Sequence, residues 1–481
     1  MKFTKQVCLS FLSITTVVAQ SASSSSLRRG DEDGPKQRKL QEVPDSYGME
    51  PPSPTYLITL NQSEKSQIDD LMSRLGASIL YYNAAASFAL VTGLSDTAVA
   101  DALASDFVET VDKDELLDFG GPEMDVDGLQ VESEGFPDAE VQSPSNPAKA
   151  SRYAWQWNMR AIAADKAWAA GRLGSGGVTV AILDTGIDYA HIDLVGRVDL
   201  SRSVSFVPQD DTYVKKNFKT KHLITDLHYH GTHVAATVAS NGYATAGVTS
   251  KTTLIGIKVC NANGSCSFGA VIAGILHAVD AGAAVANMSL GGGFLKNQNP
   301  GLVGYINKVY NYANSKKMLI VVSAGNASED LDKNGAVYQT YCDTPSTMCV
   351  SATGPQSSDN INTGPFHEVD APAYYTNYGT SAVDVAAPGG SSGGVVWAAC
   401  SSTSLKYPTC RSSTSYILGL RGTSMAAPHV SGLAALVVED VGRNPGRVKS
   451  IIRNSADDLG KNGADPYYGK GRINVANAVG A

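Results

Sequence analysis

The chain has 481 residues, 43% of them hydrophobic, with 47 Gly, 20 Pro and a formal net charge of −8. That length and apolar content support a sizeable core in two or three domains, globular and rich in turns. Beyond the N-terminus no apolar run reaches the ~18 residues of a membrane span, and no basic patch with interleaved aromatics marks a nucleic-acid partner.

Taken in chain order, Lys2 and Lys5 precede an apolar stretch from Val7 to Ala19, with small residues at Val17 and Ala19. Residues 1–19 therefore read as a secretory signal peptide, and the protein is expected outside the cell. Residues 20–54, rich in Ser, Pro and charge, are expected to be disordered. A small α+β domain follows over residues 55–117. TYLITLN, SFALVTG and FVETVDKDE pattern as strands, SEKSQIDDLMSRLG and SDTAVADALASD as helices, in a βαββαβ-like order. Residues 118–150 form an acidic linker, and the charge is divided around it. Residues 1–150 carry 24 acidic and 11 basic side chains, residues 151–481 carry 22 and 27.

From residue 151 to 481 strands and helices alternate. GVTVAILDTG, TLIGIKV, AAVANMSLGG and MLIVVSAGN are apolar strands, with SFGAVIAGILHAVDAG and LVGYINKVYNYANS helical between them. Continuous apolar strands of this kind predict a parallel sheet covered on both faces, with ligands at the carboxyl ends of the strands. Polar residues collect at those ends: Asp184, Ser289 to Gly292, and Asn326. HYHGTHVAATVAS and RGTSMAAPHV supply a histidine and a serine. A hydroxyl nucleophile needs a base, and the base needs an anion to fix its tautomer, roles that Ser424, His230 and Asp184 can fill. Each has a plainer reading as well: Ser424 as a helix cap, Asp184 and Asn326 as turn residues. His228, His230 and His233 also form H-x-H-x-x-H, but no H-E-x-x-H base accompanies them as a zinc peptidase requires.

DTGID, HGTHVA, SAGN and GTSMAAPHVSG, in this order, resemble the signature segments of the subtilisin-like serine proteases, the subtilase family. The resemblance runs from about Trp155 to the C-terminus. It implies an α/β catalytic domain over 151–481 with a mainly parallel sheet covered by helices, preceded by an inhibitory propeptide at 55–117 and a maturation site in the linker. It also implies a monomeric endopeptidase of broad specificity, acting on proteins and peptides through an acyl-enzyme and made as an autoprocessed zymogen inhibited by its own propeptide. Asp184, His230 and Ser424 take the catalytic positions, and Asn326 completes an oxyanion hole with the Ser424 N–H. Ser289, Leu290, Gly291 and Gly292, with Ser323, Ala324 and Gly325, wall the substrate pocket. A catalytically silent binding protein of the same family is the alternative.

The chemistry implied needs no cofactor. SNGYATAGV is too short for the calcium loop of bacterial subtilisins, so structural calcium, if held at all, needs weaker loop sites. Cys8 leaves with the signal, and the other six cysteines fall into close couples: Cys260 with Cys266, Cys342 with Cys349, and Cys400 with Cys410. An even count in an oxidising compartment makes these couples the expected disulfides. Asn263, in a sequon between Cys260 and Cys266, is the plausible glycan site. Residues 199–227 exceed the family's usual length and are expected to be a surface loop.

Overall fold

The computed structural model describes residues 54–61, 65–114, 116–117, 146–297, 300–339 and 341–481. The signal peptide, nearly all of the expected disordered segment and most of the acidic linker lie outside the described residues. Seven strands form one parallel sheet. Its spatial order is Val385–Pro388, Thr347–Thr353, Leu319–Ser323, Val285–Met288, Thr179–Asp184, Thr253–Lys258, Val204–Ser205. Side chains alternate between two cores: Val180 and Ile182 enter one, Ala181 and Leu183 the other. Helices His230–Val238 and Thr423–Val441 pack in the first core, Phe268–Asp280 and Pro300–Ser315 in the second. Burial on both faces is why the strands are apolar throughout and not at alternate residues.

The earliest strand of the sheet in sequence, Thr179–Asp184, lies inside it. The next two strands pair on one side of it, and the chain then crosses to build the remaining four on the other. The connections therefore diverge between the carboxyl ends of Thr179–Asp184 and Val285–Met288. That divergence opens a crevice at the point where α/β sheets bind ligands.

The small N-terminal unit is a four-stranded antiparallel sheet in the order Ser78–Asn83, Phe88–Thr92, Thr55–Leu60, Val108–Lys113. SILYYN, the strand at 78–83, is one that the apolar patterning did not predict. One face, with Tyr56, Ile58, Ala89 and Val91, packs on the unit's own helices Lys65–Arg74 and Asp96–Leu103. The other face presents Leu57, Phe88 and Leu90 to the core that holds the Phe268–Asp280 and Pro300–Ser315 helices. Phe88 stacks on Tyr305 at 5.7 Å, and Tyr81 meets Phe206 edge-on at 5.5 Å.

Both ends of the Phe268–Asp280 helix are bound by this unit. At its N-terminus the Asp114 carboxylate accepts from Gly269 N at 2.9 Å and from the Ser267 hydroxyl. A carboxylate there satisfies free N–H groups and suits the helix dipole. At the C-terminus Asp280, placed against the dipole, accepts from Tyr81 Oη at 2.9 Å and Asn83 Nδ2 at 3.0 Å. Leu116–Leu117 then pairs antiparallel with Cys266–Ser267.

Residues 199–227 are not a surface loop. They contain the helix Pro208–Asn217, opened by a proline, with Val214 and Asp210 wholly buried. Lys258 Nζ stands 2.7 Å from Asp210 Oδ2, with both side chains fully buried, and donates to the Thr225 carbonyl at 3.0 Å. Lys215, Lys216, Asn217 and Lys219 of KKNFKTK are exposed, and the charge of the lysines masks the anchor one turn earlier. Three disulfides close short loops: Cys260–Cys266, Cys342–Cys349 and Cys400–Cys410, with Cα separations of 4.0, 5.1 and 6.1 Å.

Candidate active site

Asp184 ends its strand in the crevice and is 1% exposed. His230 opens the helix that docks beside it. Docking is close because Gly231 has no side chain: a Cβ there would lie 2.1 Å from the Gly186 carbonyl. His230 Nδ1 consequently reaches both Asp184 oxygens, at 2.8 and 3.0 Å. With Nδ1–H donating, Nε2 is the basic nitrogen. Burial acts to lower the imidazole's pKa, but the charge and hydrogen bond of Asp184, helped by Asp226, overcome it and hold it above its ordinary value.

Asp226 is a second buried carboxylate behind this pair. It accepts from Thr185 Oγ1, His228 N, Thr232 N and Thr232 Oγ1 at 2.6–3.0 Å. Burial raises its pKa even so. Thr185 links the two acids, since its N–H donates to Asp184 at 2.7 Å and its hydroxyl accepts from Gly231 N at 2.9 Å.

Ser424 lies in the first turn of the Thr423–Val441 helix, buried from Met425 through Val438. Backbone N–H groups in that turn have no helical acceptor. Its hydroxyl donates to the Ser289 carbonyl at 3.0 Å, and the Ser289 hydroxyl donates back to the Ser424 carbonyl at 2.8 Å. Asn326 is oriented from the same helix: its Oδ1 accepts from Thr423 N at 2.9 Å and Thr423 Oγ1 at 2.8 Å. That fixes the carboxamide so that Nδ2 is the remaining donor.

The wall segments adjoin because their strands pair. Ser323 Oγ donates to the Leu290 carbonyl at 3.2 Å, and Gly291 borders the Ser323 carbonyl. Leu290 and Ala324 are buried. Neither Asp188 nor Asp193 hydrogen-bonds His230. Asp188 binds Ser402, and Asp193 accepts three backbone N–H groups of Tyr243 to Thr245.

The three histidines do not converge. His233 Nε2 bonds the Val396 and Leu418 carbonyls at 3.0 Å, and burial lowers its pKa to about 3. His228 stacks on Tyr229, and burial again lowers its pKa. Among the described residues no cluster of three or more His, Cys, Asp or Glu is arranged to hold a metal, and no helix is long and apolar enough to cross a membrane. Asp226 escaped the sequence reading, and so did the hold of Thr423 on Asn326. Thr423 lies inside GTSMAAPHV and could have been found there, whereas Asp226 belongs to no segment quoted above.

Residues 175–471 match the model of the subtilase family of peptidases. The chain belongs to the subtilases. Thermitase from Thermoactinomyces vulgaris is 33% identical to this subtilase over 340 residues, 70% of this chain and 99% of thermitase. Subtilisin DY from Bacillus licheniformis is 34% identical over 321 residues, 66% of this chain and 96% of that protein. In fold, the crystal structure of the epidermin leader peptide processing serine protease of Staphylococcus aureus superposes with a TM-score of 0.66 at 18% identity, covering 89% of this chain and 98% of that one. The enzyme class is accordingly serine-type endopeptidase, which needs no cofactor for catalysis.

Proposed function

We propose that this subtilase is a secreted zymogen that processes itself and cleaves peptide bonds through Asp184, His230 and Ser424. The Asp184–His230 hydrogen bond at the end of a sheet strand, with Ser424 in the first turn of a buried helix, carries this reading. Ser424 Oγ turns from Ser289 toward His230 and attacks the scissile carbonyl carbon while His230 Nε2 takes its proton. Asp184 holds Nδ1–H and stabilises the imidazolium. The oxyanion accepts from Asn326 Nδ2 and the Ser424 N–H. The tetrahedral intermediate collapses as His230 protonates the leaving amine, and water then hydrolyses the acyl-enzyme by the same route. Ser424→Ala should abolish peptide hydrolysis and self-processing together while the fold persists; turnover near the wild-type level would sink the assignment.

Residues 55–117 serve as the propeptide, and maturation cuts within 118–150. Support comes from the grip on both ends of the Phe268–Asp280 helix and from the pairing of Leu116–Leu117 with Cys266–Ser267. When the unit leaves, that strand edge is free to pair with an extended substrate. The walls at Ser289–Gly292 and Ser323–Gly325 contain no carboxylate, so cleavage is broad with a preference for large apolar side chains. A peptide library showing strict Arg or Lys selection would overturn this specificity.

A further inference from the structure

Asn326 is held by more than Thr423. The loop that carries it, residues 324–331, lies along residues 375–378, a segment between the Thr347–Thr353 and Val385–Pro388 strands. In that segment Asn377 is 2% exposed. Its Nδ2 donates to the Ala324 carbonyl at 3.0 Å, and its Oδ1 accepts from Ala327 N at 2.9 Å and Glu329 N at 3.0 Å. Its backbone N–H adds a bond to the Gly325 carbonyl at 2.9 Å. These partners flank Asn326 on both sides and leave its own side chain to Thr423. The orientation is fixed, because two N–H donors can only meet the oxygen of the amide and a carbonyl only its nitrogen. Gly325 completes the fit. It sits at φ +102°, and a Cβ there would come within 2.5 Å of Asn377 Nδ2.

We propose that Asn377 is a positioning residue for catalysis: its buried carboxamide clamps the main chain around Asn326 and so aims Asn326 Nδ2 at the oxyanion. The proposal rests on Asn326 being the oxyanion donor. Donors stabilise a transition state only when fixed at about 2.7–3.1 Å from the oxyanion's position, and a displacement of about 1 Å can cost about 10²-fold in rate. Asn377 touches neither the Asp184–His230 pair nor the nucleophile, so it affects the height of the barrier and leaves the titration of the base alone.

The test is a double-mutant cycle on the processed enzyme, with kcat and KM for a peptide substrate normalised to active sites titrated by a fluorophosphonate. Asn377→Ala should lower kcat by about 10–100-fold with KM within about 3-fold, and leave the acid midpoint of the pH profile in place. Made in an Asn326→Ala background, the same change should cost less than about 3-fold more, because the donor it aims is gone. Asn377→Asp keeps the acceptors for Ala327 and Glu329 and loses the donor to Ala324, so it replaces the alanine variant should that one not fold. Equal losses in both backgrounds, or full kcat in a folded Asn377 variant, would overturn the proposal. Full kcat in Asn326→Ala alone would remove the oxyanion assignment and the proposal with it.

Discussion

At Pro428 the central helix gives up a hydrogen bond of its own. A residue with an N–H there would bond the Ser424 carbonyl one turn back. The freed carbonyl is taken by the Ser289 hydroxyl, which Asn287 Nδ2 holds at 2.9 Å. The proline thereby ties the turn bearing Ser424 to the strand end that walls the crevice. Asp184 acts on the neighbouring residue. Because it raises the His230 pKa, activity should climb with pH through a midpoint above the ordinary imidazole value, the neutral form being the base. Asp184→Asn should move that limb to lower pH and cut kcat by about 10⁴-fold, the loss known for such a change in a serine protease triad. A limb that stays in place in a kcat/KM profile would show that another group sets it. The residues of DTGID, HGTH, SAGN and GTSMAAPHV were legible in the sequence because their chemistry is local to each motif. Asp226 and Asn377 were not, since a lone buried polar residue reveals its role only through partners folded in from other segments.

The helix Pro208–Asn217 is one element the sequence reading missed, and it brings charge into the interior. Breaking a buried ion pair from one side leaves the other charge unpaired, so Asp210→Ala should cost about 3–5 kcal/mol in urea unfolding. A loss below about 1 kcal/mol would mean Lys258 relaxes to water. Asp211, beside it, behaves differently: burial raises its pKa to about 6. The folded state then binds a proton more tightly than the unfolded chain. Stability falls as pH rises from the ordinary carboxylate value to about 6 and is level above that. Asp211→Asn should remove this slope and stabilise the protein at pH 7 by roughly 1–2 kcal/mol, with no gain at pH 4. A pH-independent change in Tm would contradict it. Four of the sheet's strands were read from their apolar runs, whereas Thr347–Thr353, Val385–Pro388 and Val204–Ser205 were not, and a polar helix with one buried face of Val214 and Asp210 carries almost no periodic signal.

For the whole molecule, strand–helix alternation foretold a covered parallel sheet, and the structure has one. The order of its strands was beyond the sequence, since parallel pairing joins segments far apart in the chain. That the small unit's sheet docks on the catalytic domain was expected, and it does; the polar contacts of that docking were hidden. In those contacts Asp114, and Tyr81 with Asn83, meet the two ends of one helix. Asp114→Ala in residues 55–117 should weaken their inhibition of the processed enzyme by about 5–30-fold, corresponding to loss of a helix cap worth about 1–2 kcal/mol. Undiminished inhibition would show that the apolar face of Leu57, Phe88 and Leu90 is sufficient.

The central claim is that Ser424 is a nucleophile activated in this crevice, and a fluorophosphonate probe tests it most directly. Processed enzyme should carry one probe per chain, mapped to Ser424 by mass spectrometry and absent from Ser424→Ala whose linker has been cut by an added protease. Labelling of His230→Ala, cut the same way, should be slowed by orders of magnitude. A folded, processed protein that takes up no probe, or takes it at another serine, would contradict the account.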